Sequence, residues 1–329
     1  MSAKVAMYDK AFASIGPRLA ALNLDIDIVT FDKDGLFQVN GRSVAASDVT
    51  IDYCWLSAHL VADGVRDKAF RAMLDCKSIG VLQTFNAGLD YPFYKKISDK
   101  GTRICNSSAQ GIAIAEYVLA QVLAVLHPIA QQRDQQARKI WKQTAFREIS
   151  ETHWLIVGYG PIAQELAKRL RAFGAKISVI RRSPDATALA DRAGTMAELS
   201  GFLPDADVVV LACANNAETR GMANEAFFAA MRPGAILVNI ARGALVDDAA
   251  MLGALDRGQL ATAILDVFNE EPLPIDNALW SHPKVRLTAH TSFFGSGVRA
   301  RWEELFLDNI GRYCRGETLV GEVRPQDIG

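Results

Sequence analysis

Short apolar runs alternate with amphipathic stretches along almost the whole chain. Val5–Tyr8, Ile26–Phe31, Ile51–Leu56, Ile79–Thr84 and Arg103–Asn106 form one series of such runs. Trp154–Val157, Ile177–Ile180, Val208–Leu211, Ile236–Asn239, Ala263–Asp266 and Val285–Thr288 form a second. Continuous apolar runs of this length, separated by helical segments, belong to parallel strands buried on both faces. The pattern therefore predicts an α/β chain with two doubly wound parallel-sheet domains. Between the two series, Ala109–Leu126 is nearly all apolar, interrupted by Gln110, Glu116 and Gln121. It barely reaches the length of a bilayer span and reads as a buried or interface helix. The polar stretch Gln131–Lys142 that follows reads as a solvated helix or an arm. No internal repeat is apparent.

At 329 residues, half of them apolar, the chain suits two domains of unequal size. Lys and Arg number 36 against 37 Asp and Glu, so no basic face is expected for nucleic acid or an acidic membrane. The five cysteines (Cys54, Cys76, Cys105, Cys213, Cys314) are scattered, as reduced intracellular thiols would be, and suggest neither a disulfide frame nor a zinc site. Met1–Asp9 carries Lys4 and Asp9 and lacks the apolar core of a signal peptide. These features predict a soluble, cytoplasmic chain with no metal, nucleic acid or membrane partner.

The densest local signal is WLIVGYGPIAQELAKRLRAF, Trp154 to Phe173. An apolar strand enters Gly158-Tyr159-Gly160-Pro161-Ile162-Ala163, and Ile162, Leu166, Leu170 and Phe173 then recur at helical spacing. Gly158 permits a tight turn, and Gly160 lets a pyrophosphate approach the backbone. Pro161 suits a first helical turn, whose N–H groups and positive dipole end face the phosphates. Ala163 replaces the usual third glycine but is still small enough for close helix–strand packing. With strands before and after, G-x-G-x-x-A reads as a dinucleotide-binding turn that also contacts the ligand through Ile162. The next strand ends in Arg181-Arg182-Ser183, where an NAD-selective site usually places a carboxylate for the ribose 2′-hydroxyl. Two guanidiniums and a hydroxyl suit a 2′-phosphate instead, so NADP is expected in preference to NAD, which stays possible. An ordinary basic surface loop is the alternative.

Three further strand ends carry chemistry: VNIARGALVD (Val238 to Asp247), ILDVFNEEP (Ile264 to Pro272) and VRLTAH (Val285 to His290). Ligands of doubly wound sheets bind outside the carboxyl ends of strands, so all three belong to one crevice. Hydride transfer to a ketone leaves an alkoxide that needs a proton, and a histidine titrates near operating pH. A carboxylate on its second ring nitrogen holds the tautomer. A fixed guanidinium grips a substrate carboxylate and polarises the carbonyl. His290, Glu271 and Arg242 fill these roles, although the residues alone leave Glu270 and Glu271 interchangeable. His282, before Pro283, reads as a capping or surface residue, and His59, His127 and His153 as structural.

The GYGPIA turn, ARGALVD, LDVFNEEP and LTAH, in this order and spacing, resemble the D-isomer-specific 2-hydroxyacid dehydrogenases, glyoxylate/hydroxypyruvate reductases among them. The resemblance spans most of the chain. It implies a Rossmann coenzyme domain (residues 107–291) inserted in a flavodoxin-like, discontinuous substrate domain (residues 1–106 and 292–329). By matching positions, Arg242 binds substrate, His290 is the acid/base and also touches substrate, and Glu271, directly before Pro272, supports it. Asp266 lies beside the nicotinamide, with a purely structural strand-end role as an equal reading, and Ala241 is a further cofactor contact. QTFNAGLD (Gln83 to Asp90) resembles the substrate loop, whose N–H groups at Ala87 and Gly88 hold the carboxylate opposite Arg242. The family also implies a homodimer, with Ala109–Leu126 as the seam.

There are departures from the family's usual pattern. Ala214-Asn215-Asn216 stands for the usual Pro-Leu-Thr, Ala289 for the proline before the histidine, and Phe293-Phe294 for smaller residues. Formate-oxidising relatives carry Gln at the Glu271 position, which argues against that activity. Ser57, Phe85, Asn86, Phe293 and Phe294 line the substrate pocket on one reading and are core on the other. The expectation is NADPH-dependent reduction of a small 2-oxo acid to its D-2-hydroxy acid. Bulkier acids such as phenylpyruvate are the alternative substrates. A non-catalytic NADP sensor is the rival class, disfavoured because a sensor has no use for a proton relay.

Overall fold

The computed structural model describes residues 2–39, 41–183, 185 and 187–328. The chain divides into two compact units, Met1–Gln110 with Ser296–Gly329, and Gly111–Gly295. In chain order the strands are β1 (Ala3–Tyr8), β2 (Ile26–Phe31), β3 (Phe37–Val39), β4 (Arg42–Val44), β5 (Thr50–Leu56), β6 (Ser78–Thr84) and β7 (Arg103–Cys105). They continue with β8 (His153–Val157), β9 (Lys176–Ile180), β10 (Arg192–Gly194), β11 (Val208–Leu211) and β12 (Ala235–Asn239). The last are β13 (Leu260–Leu265), β14 (Val285–Leu287) and β15 (Glu322–Val323).

The first unit holds a sheet in the order β15-β7-β6-β5-β1-β2-β3-β4. Its parallel centre, β7-β6-β5-β1-β2, is the flavodoxin-like order. The sheet is mixed at its edges, because β3, β4 and β15 pair antiparallel. Val5, Met7, Phe31, Tyr53 and Leu56 are fully buried, and Phe306 of the C-terminal helix Val298–Cys314 stacks on Trp55 with ring centroids 4.4 Å apart.

The second unit is a parallel sheet in the order β10-β9-β8-β11-β12-β13-β14. Counted along the chain this is 3-2-1-4-5-6 with one added strand, the Rossmann order, reversing between β8 and β11. Both faces are covered, so the alternation of side chains feeds two cores. Leu155, Val157, Leu211, Leu237 and Leu265 enter one, and Trp154, Ile156, Val210, Val238 and Ile264 the other. Each such side chain stabilises the unit by about 1.5–3 kcal/mol, which makes the carboxyl ends of the strands a rigid platform.

The apolar segment between the two strand series forms the helix Gly111–Leu126, packed on the helix Pro161–Ala172 through Ile114, Ala115, Val118 and Val122 against Ala163, Leu166, Ala167 and Leu170. The two helices meet closely at Gly111, where a Cβ would lie in ordinary contact, 3.6 Å from the Ile162 Cα and the Pro161 carbonyl oxygen. Among the described residues no single helix is long and apolar enough to cross a membrane. The polar stretch begins as the helix Ile129–Ala137 and continues without regular structure to residue 148.

Candidate active site

β8 runs into Gly158, whose φ of +98° favours glycine. A Cβ at Gly158 would lie 2.6 Å from the Ala212 carbonyl oxygen and 2.7 Å from the Cys213 Cα, so the turn fits against the segment after β11 only without a side chain. Around Gly160 the opposite holds: no atom lies within 4 Å of a built Cβ. The helix Pro161–Ala172 starts there with Pro161 in its first turn, Ile162 half-buried, and no side chain capping it. Its first N–H groups take no side-chain cap, which leaves them available to a pyrophosphate. Burial pushes the Cys213 thiol up to about 11, so this cysteine stays protonated and is no nucleophile.

After β11, the Ala214-Asn215-Asn216 departure closes into a turn. Asn216 Oδ1 accepts from the Glu218 and Thr219 N–H groups at 2.9 and 3.1 Å. The buried Asn215 Oδ1 has no donor within the protein. A buried acceptor left over at the switch point of a doubly wound sheet suits a hydroxyl of a bound dinucleotide.

Beyond β9, the Arg181 guanidinium lies over the Tyr159 ring, 5.6 Å from its centroid, and Tyr159 Oη pairs with Thr187 Oγ1 at 2.9 Å. Arg182 and Ser183 follow, and Ser183 Oγ donates to the Asp185 carboxylate. Asp185 thus places a negative charge beside Ser183 in this loop.

Arg242 follows β12. The buried Asn239 braces the turn, its Oδ1 accepting from the Ala241 N–H at 3.1 Å and its Nδ2 donating to the Arg242 carbonyl at 2.8 Å. Arg242 Nη1 donates to the Ala241 carbonyl at 2.6 Å. Gly243 is required by contact, because a Cβ there would lie 1.9 Å from the Phe268 carbonyl carbon and 2.2 Å from the Asn269 nitrogen. The Arg242 turn is thus seated directly on the loop that carries Glu271. Asn269 Nδ2 ties that loop to Asp248 Oδ2 at 3.0 Å, and burial raises the Asp248 carboxyl above its ordinary range.

Glu271, not Glu270, meets the histidine. Glu271 Oε2 lies 2.7 Å from His290 Nδ1, while Oε1 accepts from the Phe268 N–H at 2.9 Å. With the carboxylate on Nδ1, the ring keeps that nitrogen protonated and presents Nε2 for proton transfer. Phe293 stands edge-on to the imidazole, centroids 5.8 Å apart. Phe294 is 72% exposed and belongs to no core. Asp266 is fully buried and spends its carboxylate on the His290 loop, accepting from Thr288 Oγ1 and the Thr291 and Ser292 N–H groups at 2.6, 2.8 and 2.9 Å.

In the other unit, Ala87 and Gly88 lie in the loop after β6. Asn106 Nδ2 donates to the Ala87 carbonyl at 2.9 Å, and Tyr94 Oη donates to Asn86 Oδ1 at 2.7 Å. Phe85 is buried edge-on against Trp302, and Ser57 Oγ lies 3.3 Å from His59 Nδ1. His282 pairs with Asp256 and accepts from the Lys284 N–H, a loop-closing role. Among the described residues no group of His, Cys, Asp and Glu could hold a metal. Asn239, Thr288 and Tyr117, whose hydroxyl meets Thr288, escaped sequence reasoning. A polar residue at the end of an otherwise apolar strand was the available signal for Asn239.

A Rossmann unit with a glycine turn at its switch point, and a His–Glu pair on the same edge of the sheet, defines a nicotinamide-dependent oxidoreductase. Residues 119–292 match the family model of the D-isomer specific 2-hydroxyacid dehydrogenase, NAD binding domain. The chain belongs to the D-isomer-specific 2-hydroxyacid dehydrogenase family. It is 32% identical over 219 residues to glyoxylate/hydroxypyruvate reductase A of Salmonella paratyphi B, an alignment covering 66% of this chain and 69% of that protein. Two solved structures share the fold across 99% of both chains. One is a D-isomer specific 2-hydroxyacid dehydrogenase from Xanthobacter autotrophicus in complex with NADPH and MES (TM-score 0.77, 24% identity). The other is an NADPH-dependent glyoxylate/hydroxypyruvate reductase from Sinorhizobium meliloti in complex with NADP and sulfate (TM-score 0.78, 22% identity).

Proposed function

We propose that this protein reduces a small 2-oxo acid of the glyoxylate/hydroxypyruvate type to its D-2-hydroxy acid, using NADPH in preference to NADH. The observation that carries this reading is the Glu271–His290 pair, 2.7 Å apart and anchored to the Phe268 N–H, at strand ends shared with the dinucleotide turn. The names of the relatives support the substrate class.

When bound, the cofactor supplies the hydride. Gly158, Gly160, Pro161 and Ile162 would hold its pyrophosphate. Arg181, Arg182 and Ser183 would hold the 2′-phosphate, and Ala241 and Asn215 would be further cofactor contacts. Arg242 grips the substrate carboxylate and polarises the 2-oxo group. His290 Nε2–H gives its proton to the carbonyl oxygen as the C2–H bond forms, and Glu271 on Nδ1 holds the ring in place for that transfer. Water then returns a proton to His290. The unit Gly111–Gly295 is the coenzyme domain in this reading, and the other unit, with Ala87 and Gly88 for the substrate carboxylate, is the substrate domain.

Oxidation of NADPH and NADH against glyoxylate, hydroxypyruvate, pyruvate, branched 2-oxo acids and phenylpyruvate tests this reading, with His290→Ala as control. The expected result is turnover favouring NADPH and the smaller acids, reduced about 10²–10⁴-fold in the control. Best turnover on phenylpyruvate would shift the substrate class to bulkier acids. NADPH binding with no turnover on any acid would leave the sensor role instead.

The same reading makes the protein a cytoplasmic homodimer. The five unpaired cysteines suit a reducing compartment. Ile129, Ile140, Trp141 and Phe146, all exposed and Trp141 wholly so, give the stretch after the Gly111–Leu126 helix an apolar surface for a second copy. Light scattering should return twice the 35.8 kDa chain mass. A monomer at working concentration would contradict the assembly.

A further inference from the structure

His290 holds a left-handed backbone, φ +48°. A residue with a Cβ keeps that conformation only where its surroundings over-determine it. Here the surroundings converge on one buried carboxylate. Thr288, Thr291 and Ser292, on either side of His290, all donate to Asp266, and the His290 N–H itself donates to the Thr288 carbonyl at 3.0 Å.

The proton order in this network follows from donor counting. Thr288 has one hydroxyl proton and gives it to Asp266 Oδ1 at 2.6 Å. The same Thr288 oxygen lies 2.6 Å from Tyr117 Oη, so Tyr117 is the donor of that second bond. Burial pushes the Tyr117 hydroxyl up to about 12, which keeps its proton in place. Tyr117 stands on the Gly111–Leu126 helix, between the buried Ala115 and Val118. The chain of bonds therefore ends on a rigid element rather than on another loop.

We propose that Tyr117 is a positioning residue for the reaction: through Thr288 and Asp266 it fixes the loop that carries His290, and with it the point from which the imidazole delivers its proton. The proposal rests on His290 as proton donor. Tyr117 acts through Thr288, so its effect falls on kcat and leaves cofactor and substrate binding alone.

The test uses the full-length enzyme with NADPH and its best 2-oxo acid, comparing Tyr117→Phe, Thr288→Val, Thr288→Ser, the Tyr117→Phe/Thr288→Val double variant and His290→Ala. Tyr117→Phe should lower kcat about 5- to 10-fold, the loss of one good hydrogen bond. KM for both substrates should stay within about twofold. Thr288→Val should do at least as much damage, Thr288→Ser should restore near wild-type kcat, and the double variant should be no slower than Thr288→Val alone. Unchanged kcat in Tyr117→Phe, or single effects that multiply in the double variant, would overturn the proposal. So would a raised KM for NADPH at wild-type kcat. If Tyr117→Phe does not fold, the Thr288→Val and Thr288→Ser pair decides: equal kcat in the two refutes it. Wild-type turnover in His290→Ala would instead remove the proton-donor reading beneath it.

Discussion

Glu271 divides its oxygens between His290 Nδ1 and the Phe268 N–H, and that division fixes what a glutamine would do there. The amide can satisfy the backbone with its oxygen only by turning its NH₂ toward Nδ1, which displaces the proton from that nitrogen and leaves the ring in the wrong tautomer. Glu271→Gln should lower kcat about 10²-fold with little change in KM, measurable in single-turnover reduction. Gly243 is as constrained for a different reason. An alanine methyl would overlap the Phe268–Asn269 backbone, so the Arg242 turn and the Glu271 loop must separate. Gly243→Ala should cost about 1–3 kcal/mol or more of stability and most of the activity, and a thermal melt beside a rate assay checks both. Wild-type melting and rate would contradict the close packing. Arg242, Glu271 and His290 stood out in the sequence because each follows an apolar strand and bears a group that carbonyl reduction needs; of these, the structure pairs Glu271 with His290. Asn239 and Thr288 were not, because a polar side chain's task depends on its partner. The partner of Thr288, Tyr117, lies 171 residues away.

At the scale of elements, long apolar runs such as Ile51–Leu56 and Val208–Leu211 were legible because both faces of their strands are buried. The hairpin of β3 and β4 was not, since three residues per strand carry no period, although Asn40-Gly41 between them is a hairpin signal. The same brevity hid β10 and β15 at the sheet edges. One strand pair also carries a pH response. His153 at the start of β8 meets Ser178 Oγ of β9 through Nε2 at 2.8 Å, and burial lowers its pKa below the ordinary 6.5. The unfolded chain then binds the proton more readily than the folded one. The neutral histidine's contribution is fully present above about pH 6.5 and is lost as pH falls through the lower folded value. His153→Gln should flatten the dependence of the denaturation midpoint on pH between about 5 and 7. An unchanged slope would assign the acid sensitivity to other groups.

For the whole molecule, one chain carries two different sheet orders. The Rossmann order supplies a glycine turn with open space at Gly160, and the His–Glu pair at its far strands. The flavodoxin-like order supplies the loop of Ala87 and Gly88. Family membership was legible because four motifs fall in one order along the chain, whereas ring contacts such as Phe293 beside His290 and Phe85 against Trp302 depend on tertiary packing and were not. In the proposed reaction the hydride passes from NADPH to C2 of a 2-oxo acid and the proton comes from His290. It is tested most directly by reducing hydroxypyruvate with NADPH deuterated at the transferable position and analysing the product by mass and chirality. One deuterium is expected at C2 of D-glycerate, formed by the wild-type enzyme and essentially not by His290→Ala. L-glycerate, product without deuterium at C2, or equal yield from the His290→Ala variant would contradict it.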